Sequence, residues 1–364
     1  MIGQHRRKNS NDERTEAGKG ETKANKQTTV LFIWKPSPEL KRHLKNSFRG
    51  LDSLKLIFPE RDDENAYLKY ASEADVIVGW RPTEQLLNKA VNLKLFINPG
   101  AGVQHLIEMF NKTGLKRRVT LVNGHGNSFF VAQHAVAMLL ALLNRIVLHH
   151  NTMAAGRWYT GDGERERSTP LRGRRVGFLG YGEVNRKVHQ LLMGFDVAFS
   201  ALRMDWSKQQ TSTPTPLRRY TTHSLKAFLQ NNDILIIALP LTPKTRGLIG
   251  KREISYLPDG AVIVNVGRGD VIDEGALYEA LKTRKLGGAA IDVWYINKPT
   301  PDGKGRLYPY RCPFHELDDV ILSPHRAASP FNDLKRWDDV TYNIRTFAAG
   351  KKDFINIVDF EKGY

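Results

Sequence analysis

Residues Val176–Arg203 read VGFLGYGEVNRKVHQLLMGFDVAFSALR. A short apolar run ends in Gly-x-Gly at Gly180 and Gly182. A segment of helical period follows, and a second apolar run closes on a cation. This order predicts strand, tight turn, helix, strand. Gly180 can take the backbone sharply off the strand, Gly182 leaves the main chain bare, and the first amides of the helix lack intrahelical acceptors. Together they suit the pyrophosphate of a dinucleotide. Two residues depart from the commonest pattern: Asn185 stands where a third glycine would be expected, and Arg203 ends the second strand where an acid is usual.

The alternation continues on both sides. Upstream, the segments 28–34 (TTVLFIW), 54–59 (LKLIFP), 74–80 (ADVIVGW), 93–100 (LKLFINPG) and 119–124 (VTLVNG) read as strands, with helices over 38–48 and Thr83–Val91. Downstream, 233–240, 261–269, 287–295 and 319–328 read as strands, with helices over 224–232, Lys251–Tyr256 and Asp273–Arg284 and a loop from Trp206 to Pro216. Five or six strands are expected in this second half. The stretch from Phe129 to His149 reads as one helix too apolar for a surface, so it should be buried between domains or subunits. Gly156–Arg174 reads as a linker, and a final helix from residue 329 returns the chain to its first half. The fold class predicted is α/β, with two doubly wound parallel-sheet domains. A Rossmann domain, 150–326, is inserted in a flavodoxin-like domain made of 28–149 and 327–364, and residues 1–27 form a disordered basic tail.

Composition narrows the function. The chain has 364 residues, enough for two cores, with ordinary hydrophobic (41%) and charged (26%) content. One cysteine, Cys312, excludes an internal disulfide framework and a Cys-ligated zinc site, and no metal site is expected. The net charge of +17 raises the question of nucleic acid, but the cations are spread along the chain without basic–aromatic interleaving, which argues against that partner. A general positive field suits anionic ligands instead. The polar start and the short apolar run Val131–Leu143 predict neither a secretory leader nor a membrane span, hence a cytoplasmic protein.

Three reactive residues stand at the carboxyl ends of strands assigned to one sheet: Arg268 in VNVGRGD, Asp292 in AAIDVWY and His325 in ILSPHRAAS. Open α/β sheets place their active sites at that edge. At the end of 93–100, Gly100 and Gly102 either turn backbone amides of Ala101 and Gly102 toward a ligand or make a plain turn.

From Thr28 onward the chain resembles the D-isomer specific 2-hydroxyacid dehydrogenase family, which includes formate dehydrogenases. GAGVQH, GNSFFVAQH, LRGRRVGFLGYG, LPLTPKTRGLI, VIVNVGRGDVIDEGALYEAL, AAIDVW and SPHRA occur in family order. The resemblance implies that Arg268 and the amides of Ala101 and Gly102 hold a substrate carboxylate, and that His325 exchanges a proton with the substrate oxygen as hydride moves. Asn127 matches a substrate asparagine, though a turn would also use it. Gly180, Tyr181, Gly182, Glu183, Val184, Arg203, Leu239, Pro240, Thr245, Val266, Gly267, Asp292 and Ala327 would contact the cofactor. Gln133 and His134 read as helix packing.

Departures from the family pattern shape the expected activity. Five residues after Asp292, where most hydroxyacid dehydrogenases carry the glutamate partner of the histidine, stands Asn297, expected to be a catalytic residue in its place; formate dehydrogenases also have an amide there. Without that acid His325 should titrate low. The loop to His325 is long, and its Glu316 is either a substitute or a surface acid. Arg203 falls where the family's ribose-binding Asp stands, which favours NADP(H) and leaves NAD(H) as the alternative. The leading expectation is a homodimeric NADP(H)-dependent reductase of small 2-oxoacids such as glyoxylate or hydroxypyruvate. The alternatives are a formate dehydrogenase-like enzyme and a non-catalytic NADP(H)-binding regulator.

Overall fold

A computed structural model describes residues 27–158, 163, 167–207, 212–328 and 333–364. Most of the tail, two parts of the linker, part of the Trp206–Pro216 loop and residues 329–332 of the expected final helix lie outside the described residues.

The first half runs β1 (Thr28–Phe32), α1 (Pro38–Ser47), β2 (Leu54–Ile57), α2 (Glu64–Leu68), β3 (Val76–Val78), α3 (Glu84–Lys89), β4 (Leu95–Asn98), α4 (Gln104–Lys112) and β5 (Thr120–Asn123). The helix starts follow local chemistry: Ser37, Asp63 and Thr83 each accept a backbone N–H as N-cap, and Pro38 opens α1. All five strands are parallel, in the order β2-β1-β3-β4-β5. β3 and β4 are wholly buried, which explains their unbroken apolar runs.

Next come α5 (Ser128–Leu143) and α6 (Ile146–Ala154). The single helix expected over Phe129–His149 is therefore two, bent by 65°. Arg145 between them takes φ +55° and pairs with Asp319, which offsets the cost of a left-handed L-residue. α5 packs on the second sheet: Ala132, Ala135, Met138 and Leu139 share a core with Val176, Phe178, Ile236 and Val264. Among the described residues no single helix is long and apolar enough to cross a membrane.

The second half runs β6 (Arg175–Leu179), α7 (Glu183–Leu192), β7 (Ala198–Leu202), β8 (Leu217–Tyr220), α8 (Leu225–Gln230), β9 (Ile234–Ile237), α9 (Lys251–Tyr256), β10 (Ala261–Asn265), α10 (Glu274–Lys282), β11 (Leu286–Ile291) and β12 (Val320–Leu322). The seven strands are parallel, in the order β12-β11-β10-β9-β6-β7-β8. The count exceeds the expected five or six because LRRY at 217–220 forms an edge strand, exposed at both arginines and hence without an apolar signature. The last helix, α11 (Asp338–Ala348), starts later than the sequence suggested and sends Val340 and Ile344 into the core of the first sheet. Just before it, Trp337 stacks on Trp34 at 5.4 Å.

Candidate active site

The nucleotide turn has the geometry its glycines allow. Gly180 sits at φ +85°, and a Cβ there would come within 2.7 Å of Leu239 Cδ2. Beside Gly182, the N-cap of α7, the space is open. A phosphate can therefore approach bare backbone and free helical amides, and these residues fit a dinucleotide. Asn185 is fully buried, and its Nδ2 donates to Gly180 O at 2.6 Å and Ile236 O at 3.2 Å. It is a tie between turn, helix and β9 rather than a weakened third glycine. Gly267 lies against Leu239 just as closely: its Cβ would be 2.8 Å from Leu239 O. Thr245 Oγ1 donates to Pro240 O at 2.7 Å and shapes the loop after β9.

Tyr181 turns inward. Its hydroxyl meets His189 Nδ1 at 2.7 Å, and His189 Nε2 meets Thr215 Oγ1 at 2.7 Å. Burial holds His189 down to about 4, so it stays neutral, and pushes Tyr181 up to about 12. Only the main chain of Tyr181 is left for a cofactor. Arg203 follows β7 directly, with its N–H on Tyr220 O at 3.1 Å. Its guanidinium lies 6.0 Å from the Trp206 ring, and that of Arg219 lies 5.0 Å from the same ring. Trp206 in turn contacts Tyr181 and donates to Tyr220 O at 2.8 Å. Two cations thus gather on one indole at the end of β7. Arg219 and Trp206 were not singled out in the sequence, since β8 was unrecognised.

The second cluster joins the two sheets. A Cβ on Gly102 would collide with Nη2 of Arg268, so the first sheet's loop lies directly on the second sheet's guanidinium. Arg268 follows β10. Asn265, the last residue of that strand, donates to Arg268 O at 3.1 Å and accepts from Gly267 N at 3.1 Å. Burial alone lowers the Arg268 pKa, and no carboxylate pairs with it among the described residues. A largely desolvated, unpaired cation favours an anionic ligand. On the facing loop, Asn98 Nδ2 donates to Gly100 O at 2.5 Å and Gly102 O at 3.0 Å, and Asn123 Nδ2 donates to Ala101 O at 2.8 Å. Asn127 is the N-cap of α5 and makes no side-chain capping bond.

His325 occupies the turn after β12 at φ +57°, a strain of about 1–3 kcal/mol that the surroundings must impose. Asp292 imposes much of it. Its Oδ1 accepts from Ser323 Oγ at 2.5 Å and Arg326 N at 2.8 Å, and Oδ2 accepts from Ala327 N at 3.1 Å. Trp294 Nε1 donates to Ser323 O at 2.8 Å. Partial burial lowers the His325 pKa, Asp292 opposes that shift, and Arg268 adds to it. His134, read from the sequence as packing, reaches this assembly from α5: Nε2 lies 2.9 Å from Ser323 Oγ and 3.7 Å from Asp292 Oδ1. Its helical spacing matched a packing face and carried no chemical signal. Asn297 is exposed, with no hydrogen bond to His325 among the described residues, and Glu316 is exposed beside His315 at 3.9 Å. The arrangement brings a guanidinium that could hold an anion, a titratable imidazole and a turn that fits a dinucleotide to the end of the second sheet, with the first sheet's Gly102 loop against it.

Residues 136–327 match the model of the "D-isomer specific 2-hydroxyacid dehydrogenase, NAD binding domain". The chain belongs to the D-isomer specific 2-hydroxyacid dehydrogenase family. It is 32% identical over 249 residues to a D-3-phosphoglycerate dehydrogenase of Archaeoglobus fulgidus, covering 67% of this chain and 43% of that one, less than half its length. It is 28% identical over 285 residues to glyoxylate/hydroxypyruvate reductase HPR3 of Arabidopsis thaliana, covering 77% and 81% of the two chains. Among solved structures, a family member of Xanthobacter autotrophicus Py2 in complex with NADPH and MES superposes with TM-score 0.73 at 25% identity, covering 93% of this chain and all of that one. The two parallel-sheet domains are those of the family, whose named members here are oxidoreductases.

Proposed function

We propose that the protein reduces a small 2-oxoacid to the D-2-hydroxyacid with NADPH as preferred hydride donor. The observation that carries this reading is the meeting of Gly102 and Arg268, an unpaired guanidinium against a loop of free amides, on the same sheet edge as His325. A carboxylate held there leaves the adjacent carbonyl to His325, which donates a proton to its oxygen as that oxygen gains charge. The bound nicotinamide supplies the hydride. Asp292 holds the His325 turn, and Arg268 polarises the carbonyl as well as clamping the acid. Turnover of a panel of 2-oxoacids and of formate, each with NADPH or NADH, tests the reading; reduction of none of the oxoacids with either cofactor would sink it.

The cofactor preference rests on Arg203 and Arg219 beside Trp206. Arg203→Ala should raise the KM for NADPH by about 10- to 100-fold, the loss of a charge-assisted bond to a 2′-phosphate, while moving the KM for NADH little. An equal effect on both cofactors would remove the phosphate assignment.

The depressed pKa of His325 gives a pH prediction. The donor must be protonated, so oxoacid reduction should fall as pH rises through a midpoint below the ordinary imidazole value of 6.5, and hydroxyacid oxidation should rise through it. Initial rates from pH 4.5 to 8 in both directions locate that midpoint. A midpoint above 7 would mean that an acid supports the imidazolium after all.

The same reading includes a cytoplasmic homodimer. Along α5, α6 and the chain after them, Phe129 (46%), Ile146 (54%), Val147 (45%), Met153 (57%) and Trp158 (78%) are exposed apolar side chains. Surface of this kind is usually covered. Light scattering should give the mass of two chains, and Ile146→Lys together with Met153→Lys should give the mass of one.

A further inference from the structure

We infer that Asn98 and Asn123 are positioning residues, which aim the amides of Ala101 and Gly102 at the substrate carboxylate by holding the loop's carbonyls on the opposite side. The inference rests on the proposed oxoacid reaction for the identity of the anion, but not for the geometry of the loop. The two asparagines are the last residues of neighbouring strands and are register partners, Asn98 opposite Asn123. Both are buried, at 0% and 5% exposure, in a sheet whose buried side chains are otherwise nearly all apolar.

Between them they capture three consecutive carbonyls, those of Gly100, Ala101 and Gly102. In a trans peptide the C=O and the following N–H point in opposite directions. Among the described residues no peptide bond is cis, so holding the carbonyls of Gly100 and Ala101 inward turns the N–H groups of Ala101 and Gly102 outward. Neither amide donates to a protein acceptor among the described residues. The loop cannot sag to find one. Gly124 N donates to Asn98 O at 2.8 Å, and a Cβ on Gly124 would come within 2.7 Å of Pro99 O, so the main chains already touch. Opposite the outward amides stands Arg268.

The arrangement has a visible cost. Asn98 Oδ1 is buried without any partner. Flipping the amide would not relieve it, since the oxygen would then face the carbonyls of Gly100 and Gly102. A buried acceptor left unpaired is unfavourable, and a leucine of similar size would avoid the penalty in a purely structural site. What the asparagine provides is a short bond to Gly100 O, which otherwise has only the long one from Gly124 N at 3.4 Å, and a donor for Gly102 O.

The test uses the full chain with saturating NADPH and oxalate as a non-reacting anion. Asn98→Leu and Asn123→Leu should each weaken oxalate binding by about tenfold or more, the loss of one charge-assisted hydrogen bond. The KM for the best oxoacid should rise in parallel, with kcat changed less than KM. The Kd for NADPH, titrated by fluorescence, should not move, because the cofactor sits on the other sheet. If a leucine variant does not fold, Asn98→Asp and Asn123→Asp keep the shape, remove the donors and should give the same split. Oxalate affinity equal to that of the native chain in a folded variant overturns the inference, as does a parallel loss of oxalate and NADPH affinity, which marks general loosening. A native chain that binds no oxalate overturns it too. Oxalate binding without turnover of any oxoacid would count against the proposed reaction alone.

Discussion

His325→Asn should lower kcat for oxoacid reduction by about 10²- to 10⁴-fold while leaving the Kd for NADPH unchanged. The imidazole is the titratable group set at the strand edge beside Arg268, and it makes no hydrogen bond that the nucleotide turn depends on. Its loss removes the proton delivered to the developing alkoxide. Arg268 and the cofactor would still hold and polarise the substrate, so a measurable residue of activity should remain. The pH dependence of reduction below 6.5 should vanish in the variant. If the variant kept both activity and pH profile, the proton would come from elsewhere, and His134, linked through Ser323 to Asp292, would be the next residue to test.

Arg268→Ala should cost about 2–5 kcal/mol in kcat/KM, roughly 30- to 5,000-fold, the range seen when one partner of a buried charge pair is removed. Most of that loss should appear in KM, because the anion loses a guanidinium clamp, and part should appear in kcat because the carbonyl is less polarised. The guanidinium removed lies directly against Gly102, so added guanidinium ion should restore part of the rate. Tm should fall only modestly, since the guanidinium has no carboxylate partner among the described residues and its removal forfeits one hydrogen bond, from Nη1 to Gly267 O at 2.6 Å. A large drop in Tm without loss of substrate affinity would make Arg268 a structural residue.

Much of this site could be read from residues alone. Gly180, Gly182 and Arg268 follow short buried strands, and His325 follows the short apolar run of β12, so that a charged or flexible residue contrasts with its apolar neighbours. The parallel sheets followed from the same contrast. What escaped reading lacked it. Asn98 and Asn123 look like turn residues in a sequence, and only the captured carbonyls separate a clamp from a turn. Arg219 lies on an edge strand with two exposed arginines among four residues, so neither the strand nor its cation registers. Asn185 reads as a lost glycine, yet the side chain that glycine lacks is what ties the turn. The break at Arg145 depends on an ion pair with Asp319, 174 positions away, which local propensity cannot contain.

The contact between Gly102 and Arg268 also has a thermodynamic meaning. In the proposed anion site one half stands on each sheet, so full affinity would exist only in the arrangement that brings the halves together. Binding and closure are then one linked equilibrium: whatever fraction of molecules is open reduces the apparent affinity by that fraction. A carboxylate would thus act as a ligand for a conformation, and a doubly charged one such as oxalate should raise the melting temperature of the cofactor-bound chain by mass action, more at each higher concentration.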